Sequence, residues 1–413
     1  MTRCRLELAD YVRKGDRPKA LATHLFLPLA YTPERHALTA ADHFLRFNPR
    51  SPMAPVAYRR AVALARGLPV SGEPVTLARS IILKAPDHGA GERGVLLTSF
   101  EPELAKLARY ARLPDITASY DIAFLATWHP FYSMPLYQYV ARAPRRMFLM
   151  PSSASDYELC RHRHEDVVAF PFQSSSWVNP DFYAPPPRKD IDIIMVANFS
   201  RYKRHWHLFR ALRDLPRRLR VVLVGIRIDN RTKETLLEEA TAFGVADRLE
   251  IHEGPPDEVV SDLLSRAKIF LALSAKEGSY ISIAESLFSG TPVGVYRDAV
   301  IGSKDYINEH TGTLLDSREP LAPQIESFLD RAKSYSPQAW AIENISARVN
   351  GARLNELLRA QAMNDGGPWS RDIAPFYCRH FDFFYERADD EAAFSPIYGR
   401  FERDYGVRIV RRP

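Results

Sequence analysis

Two glutamates, Glu277 and Glu285, stand with seven residues between them in the run Ala275-Lys276-Glu277-Gly278-Ser279-Tyr280-Ile281-Ser282-Ile283-Ala284-Glu285. An apolar stretch, Ile269-Phe270-Leu271-Ala272-Leu273, precedes the run, and a Gly290-Thr291-Pro292-Val293 turn follows it. The pattern reads as strand, tight loop, helix, turn. A helix whose first turn is Gly278-Ser279-Tyr280 offers unpaired backbone N–H groups and a positive dipole end, which suits a phosphate. If the segment is helical throughout, the two carboxylates are roughly 12 Å apart. That is of the order of the distance from sugar to ribose across a diphosphate. The apolar neighbours Ile281, Ile283, Ala284 and Leu287 predict a largely buried helix, in which carboxylates need partners.

The elements that must position these residues are legible around them. Ile191 to Val196, Val221 to Gly225, Leu249 to His252 and Ile269 to Leu273 read as strands. Lys203 to Leu215, Thr232 to Phe243 and Asp257 to Ala267 read as helices between them. Repeated βα winding of this kind predicts a doubly wound parallel sheet, with ligands at the carboxyl ends of the strands. Asn198 to Lys203, Gly225, and Ser274 to Gly278 all follow strands and are expected to converge there.

Earlier in the chain the winding is looser. Ile81-Ile82-Leu83, Val95-Leu96-Leu97, Ile122 to Leu125 and Met147 to Met150 read as buried strands, with a helix over 103–112. The glycine-rich stretch His88 to Gly94 precedes a strand rather than a helix, so it is read as a turn and not a dinucleotide loop. Residues 1–78 look helical and carry no motif. The proline-rich run Ala184-Pro185-Pro186-Pro187 is the expected domain joint, and the last 80 residues turn helical again. The expected division is a helical extension over 1–78, a Rossmann-like domain over 79–187, a second over 188–330, and a helical segment over 331–413 that packs back on the first domain.

The chain has 413 residues, enough for two or three domains, and its 46% hydrophobic and 26% charged content is that of a globular protein. No apolar run approaches the length of a spanning helix. Arg3 and Arg5 precede no apolar core, so a secretory signal is not expected. Cys4, Cys160 and Cys378 match no metal spacing and no disulfide framework, and the cytoplasm is the expected compartment. Net charge is +6, which points to nucleic acid, an anionic membrane surface or phosphorylated ligands. Arg201, Lys203, Arg204, Arg210, Arg213, Arg217, Arg218 and Arg220 crowd one stretch, but no nucleic-acid module surrounds them.

The second half resembles the nucleotide-binding domain of the glycosyltransferase family 4 enzymes, which have the GT-B fold. Ordered matches carry the resemblance: Lys203 after a strand and loop, Gly225 ending the next strand, Gly254, Ser274, the Glu277–Glu285 motif, the 290–293 turn, and Gly302, Ile307 and Thr311 to Leu315. Together they cover about 130 residues. The resemblance implies two Rossmann-like domains facing a cleft, and a retaining transferase that moves a sugar from a nucleotide-diphosphate sugar to a glycan or lipid-linked acceptor. Bacterial surface polysaccharide synthesis, with peripheral contact at the inner membrane face, is the expected setting. No metal or other cofactor is implied beyond the nucleotide sugar.

It also implies roles. Lys203 neutralises the diphosphate and stabilises the leaving group. Glu277, with the amides of Gly278 and Ser279, holds the transferred sugar, and Glu285 holds the ribose. Ser274, Tyr280, Asn198 and Gly225 complete the donor side. The family's arginine five residues before the lysine is replaced by Asn198, and Arg201 is the candidate substitute. Ile226 and Arg227 stand where a second glycine is expected. His129, in Ala126-Thr127-Trp128-His129-Pro130, follows a strand as the family's active-site histidine does. Two other readings share the motif: a sugar-nucleotide epimerase or hydrolase of this fold, and a non-catalytic sugar-nucleotide-binding protein.

Overall fold

The computed structural model describes residues 13–16, 19, 36–183, 188–228, 230–379 and 382–411. The chain forms two units, one of residues 1–173 and 352–413, the other of residues 174–351. The proline run expected as the joint, 184–187, lies outside the described residues; the second unit already begins at Ser174.

In the first unit, α1 (Ala37–Phe47) and α2 (Ala54–Ala65) precede β1 (Val75–Leu77), β2 (Ser80–Lys84) and β3 (Gly94–Ser99). Then come α3 (Glu101–Arg109), α4 (Leu113–Ser119), β4 (Tyr120–Leu125), α5 (Met134–Arg142), β5 (Met147–Met150), α6 (Ala154–Cys160) and β6 (Val167–Ala169). The sheet order is β2-β3-β4-β5-β6. The glycine-rich stretch turns the chain between β2 and β3, which pair antiparallel, and the remaining pairs are parallel. Phe44, Leu45, Ala57 and Ala61 share one core with Ile82, Leu96 and Ile122. The first two helices are therefore part of this unit's core rather than a separate extension.

The second unit holds β7 (Ile191–Val196), α7 (His205–Leu212), β8 (Val221–Gly225), α8 (Lys233–Ala242), β9 (Leu249–Glu253) and α9 (Asp257–Arg266). It continues through β10 (Ala267–Ala272), α10 (Ile281–Phe288), β11 (Val293–Tyr296), β12 (Gly312–Leu315), α11 (Leu321–Arg331) and α12 (Pro337–Ile345). All six strands are parallel, in the order β12-β11-β10-β7-β8-β9. This is the doubly wound order, and its direction of winding reverses between β7 and β10. Near-continuous burial of Ile193, Ile194, Met195, Val222, Leu223, Ile269, Phe270 and Leu271 follows from helices on both faces.

The last stretch departs from the helical expectation. After α13 (Ala347–Asn364), the aromatic-rich segment forms an antiparallel hairpin, β13 (Phe376–Arg379) with β14 (Asp382–Tyr385). Then α14 (Ala388–Tyr405) leads to β15 (Val407–Ile409), which pairs in parallel with β1. Alternating aromatic residues in the hairpin stack across the strands, as Tyr377 does on Phe384. From Ala352 onward this segment belongs to the first unit. Among the described residues no helix is long and apolar enough to cross a membrane.

Candidate functional site

The site is built where the winding of the second sheet reverses. β7 and β10 are neighbours, so the loops after them meet at their carboxyl ends. The β7 loop carries Lys203 and the β10 loop carries Glu277. Lys203 Nζ lies 2.7 Å from Glu277 Oε1, with the two side chains 8% and 11% exposed. The ammonium also sits 3.8 Å from the centre of the Tyr280 ring, a cation–π contact. Burial lowers the Lys203 pKa, and the Glu277 carboxylate opposes that shift. Tyr280 is held as a neutral phenol by burial and by the Glu277 charge, and its hydroxyl donates to the Val196 carbonyl at 3.0 Å.

The helix between the two glutamates starts later than the sequence predicts. α10 begins at Ile281, and Tyr280 adopts a left-handed conformation with φ 49°. The preceding residues are committed elsewhere. Glu277 N–H donates to the Val300 carbonyl at 2.9 Å, and Gly302 N–H donates to the Gly278 carbonyl at 2.7 Å. Ser303 N–H donates to the Ser279 carbonyl, and the Ser279 hydroxyl bonds Ser175 at 2.7 Å. Glu277 thus lies on a loop, not in a continuous helix with Glu285. Among the described residues no acceptor lies on the Gly278 N–H.

Glu285 is half-buried one turn into α10, where it accepts from the Tyr183 hydroxyl at 3.2 Å. Ser274 is fully buried just beyond β10, and its hydroxyl has no partner among the described residues. Gly225 is explained by packing. A Cβ there falls 2.0 Å from the Ala197 carbonyl oxygen and 2.8 Å from the Phe199 ring, so only glycine lets the β7 loop lie against the end of β8. Asn198 accepts from Ser200 N–H at 3.2 Å and donates to the Tyr202 hydroxyl at 3.2 Å, folding the loop on itself.

The β7 loop ends in a short 3₁₀ turn, Arg201–Lys203, before left-handed Arg204 opens α7. The predicted helix from Lys203 is therefore shorter at both ends. The turn buries Lys203 and leaves Arg201 exposed, with no bond to the Lys203–Glu277 pair. His205 is buried just behind Lys203. Burial, then the charges of Arg231 and Lys203, lower its pKa to about 3, so it is a neutral imidazole.

His129 lies in the first unit, after β4. Its Nδ1 is 2.5 Å from Oδ2 of Asp156, a residue of α6 whose side chain is 2% exposed. Sequence reading missed Asp156, and also Glu101, Ser175, Tyr183 and Ser303. None carries a local signal, because Asp156 and Glu101 meet the His129 loop, and Ser175, Tyr183 and Ser303 meet the α10 region, through tertiary contact.

The fold is that of the GT-B glycosyltransferases. Residues 182–341 match the family model described as glycosyl transferases group 1. Sucrose-phosphate synthase from Thermosynechococcus elongatus is similar with a TM-score of 0.53 at 15% identity, over 65% of this chain and 74% of that one. HepE from Anabaena, solved in complex with UDP, is similar with a TM-score of 0.52 at 13% identity, over 75% of this chain and 84% of that one. The same protein in complex with UDP-glucose gives 0.50 at 15% identity, over 64% and 78%. No curated protein matches the chain by sequence.

Proposed function

We propose that the chain is a retaining glycosyltransferase that takes a sugar from a nucleotide-diphosphate sugar to a glycan or lipid-linked acceptor. The buried Lys203–Glu277 pair at the reversal between β7 and β10 carries the reading, because it lies inside the matched glycosyltransferase segment. An ammonium held among an aromatic ring and one carboxylate can turn to a diphosphate that replaces its partner. The solved complexes of HepE with UDP and UDP-glucose support a uridine diphosphate donor.

In this mechanism the bond from the sugar anomeric carbon to the donor phosphate oxygen breaks, and the electron pair leaves with the nucleoside diphosphate. Lys203 stabilises that developing charge, so the reading calls for no metal cofactor. The acceptor hydroxyl forms the new bond, and its proton passes to the departing phosphate. Glu277 and the Gly278 amide hold the sugar, and Glu285 holds the ribose beside Tyr183. Ser274, Ser279 and Tyr280 shape the donor wall, Arg201 remains the candidate second phosphate cation, and His129 serves the acceptor-side unit. Exposed Arg201, Arg210, Arg213 and Arg218 support peripheral contact with an anionic membrane surface, where a lipid-linked acceptor of surface polysaccharide synthesis is found.

A thermal-shift panel of uridine, guanosine, adenosine and thymidine diphosphate sugars tests the donor. A true donor at 100 times Kd stabilises the wild type by about 2.7 kcal/mol, and Glu285→Ala loses most of that shift. If no nucleotide sugar shifts the wild type, the reading fails.

A further inference from the structure

The amino ends of β4 and β5 frame a cavity of about 330 Å³, lined by Asp121, Pro144, Arg145, Arg146, Phe148 and Asp365. All six residues belong to the first unit. His129 and the Lys203–Glu277 pair follow the carboxyl ends of their strands, so the cavity is separate from both. Its volume is that of a small-ligand site, roughly 300–1,000 Å³.

Charge around it is uneven. Arg93, the residue before β3, places Nη2 2.6 Å from Asp121 Oδ1, and Arg145 Nε lies 3.9 Å from the same oxygen. Arg145 and Arg146 both reach Asp365 through Nη2, at 3.4 and 2.6 Å. Three guanidinium groups thus serve two carboxylates, which leaves one positive charge over. Two buried donors lack an acceptor as well. Arg93 Nε–H and the hydroxyl of Tyr139, a residue of α5, have no partner among the described residues. Burial, then the Asp121 charge, raise the Tyr139 pKa, so the group is a phenol O–H at neutral pH. Buried donors left unpaired are costly and call for an acceptor.

Asp365 marks where an anion sits. It directly follows α13 and precedes Gly366, whose φ is 75°, and Gly367. Its side chain, 25% exposed, is held by the two arginines and by Gln361 Nε2 at 3.0 Å. A carboxylate at a glycine-flanked helix end can turn out to water, and a phosphate can take its place between the same two planar forks. Pro144 and Phe148, the latter buried, give the body of a ligand an apolar wall. An ordinary surface ion pair needs neither a cavity nor such a wall.

We propose that this cavity binds a small phosphomonoester, whose phosphate displaces Asp365 from Arg145 and Arg146. Arg93 Nε–H and the Tyr139 hydroxyl are the further donors, and Pro144 and Phe148 take the apolar part of the ester. The proposal rests on the first unit alone and not on the glycosyltransferase reading.

Full-length protein carrying ¹⁵N-arginine tests it. The Arg93 Nε–H line, assigned by Arg93→Lys, reports the cavity and not the donor site. The probes are glycerol 3-phosphate, glucose 1-phosphate, glucose 6-phosphate, inorganic phosphate and malonate. At least one ester moves the Arg93 line saturably, with inorganic phosphate and malonate weaker by about tenfold or more. Arg145→Gln with Arg146→Gln weakens the ester by about tenfold or more. Asp365→Asn tightens it severalfold, a gain that damage to the fold cannot give. Lys203→Ala leaves it within about twofold. The proposal is overturned if no ester moves the line, if the double arginine variant binds equally well, or if Asp365→Asn brings no gain. It is also overturned if inorganic phosphate or malonate binds as tightly as every ester, or if Lys203→Ala abolishes the response, which places the ligand in the donor site.

Discussion

Removing one member of the Lys203–Glu277 pair leaves the other buried and uncompensated. Lys203→Met preserves the stem and its contact with the Tyr280 ring but abandons the Glu277 charge; Glu277→Gln does the converse. With the side chains 8% and 11% exposed, each single change destabilises the second unit by about 3–5 kcal/mol. For a unit of this size that lowers Tm by about 2–4 °C per kcal/mol. The double variant leaves no unpaired charge, so it is no less stable than the worse single. The coupling energy is then at least the cost of the milder single change, about 3 kcal/mol or more. Hydrogen exchange of the α10 amides reads the second unit alone, and a cycle of the four proteins gives the coupling. Additivity within about 0.5 kcal/mol refutes the reasoning, because it shows that the two charges are solvated independently.

Gly225→Ala forces a Cβ to 2.0 Å from the Ala197 carbonyl; the β7 loop must move, costing about 1–3 kcal/mol in urea unfolding and weakening donor binding in titration. Tyr280→Phe keeps the ring under Lys203 but strands the Val196 carbonyl, for a loss of about 1 kcal/mol measured by chemical denaturation. Asp190 accepts from Arg266 through both carboxylate oxygens at 2.8 Å, and the Arg266 bonds, with the Arg220 charge, pull its pKa down to about 2. Its folded pKa lies below the unfolded one near 3.8, so its contribution is complete above pH 3.8 and is lost as pH falls towards 2. Asp190→Asn flattens that part of the stability–pH curve, and an unchanged slope contradicts the pairing.

The strand cores were legible because period and composition decide them. Ile193–Val196 and Val221–Val224 are continuous, buried apolar runs, as a strand covered on both faces requires. The acidic motif was legible as residues but not as geometry. Tyr280 is left-handed where the 300–303 segment holds Glu277 to Ser279, and no local signal reports a bond made more than twenty residues away. The same holds for Asp156 against His129, which the order of β4 and β5 brings together. The hairpin of β13 and β14 lies in a stretch for which only a general helical expectation over the last 80 residues stood, because aromatic spacing over a short run fits both periods. Arg201 stands in sequence as the candidate substitute for the missing arginine, and a single 3₁₀ turn sends Lys203 inward and Arg201 to solvent.

Isothermal titration of Lys203→Ala with a nucleotide-diphosphate sugar and with the matching free nucleoside tests the central claim most directly. The donor-site account predicts that the variant loses affinity for the diphosphate sugar by at least tenfold (about 1.4 kcal/mol), while affinity for the nucleoside stays within about twofold. Equal losses for both ligands contradict it, because Lys203 then does not hold the diphosphate.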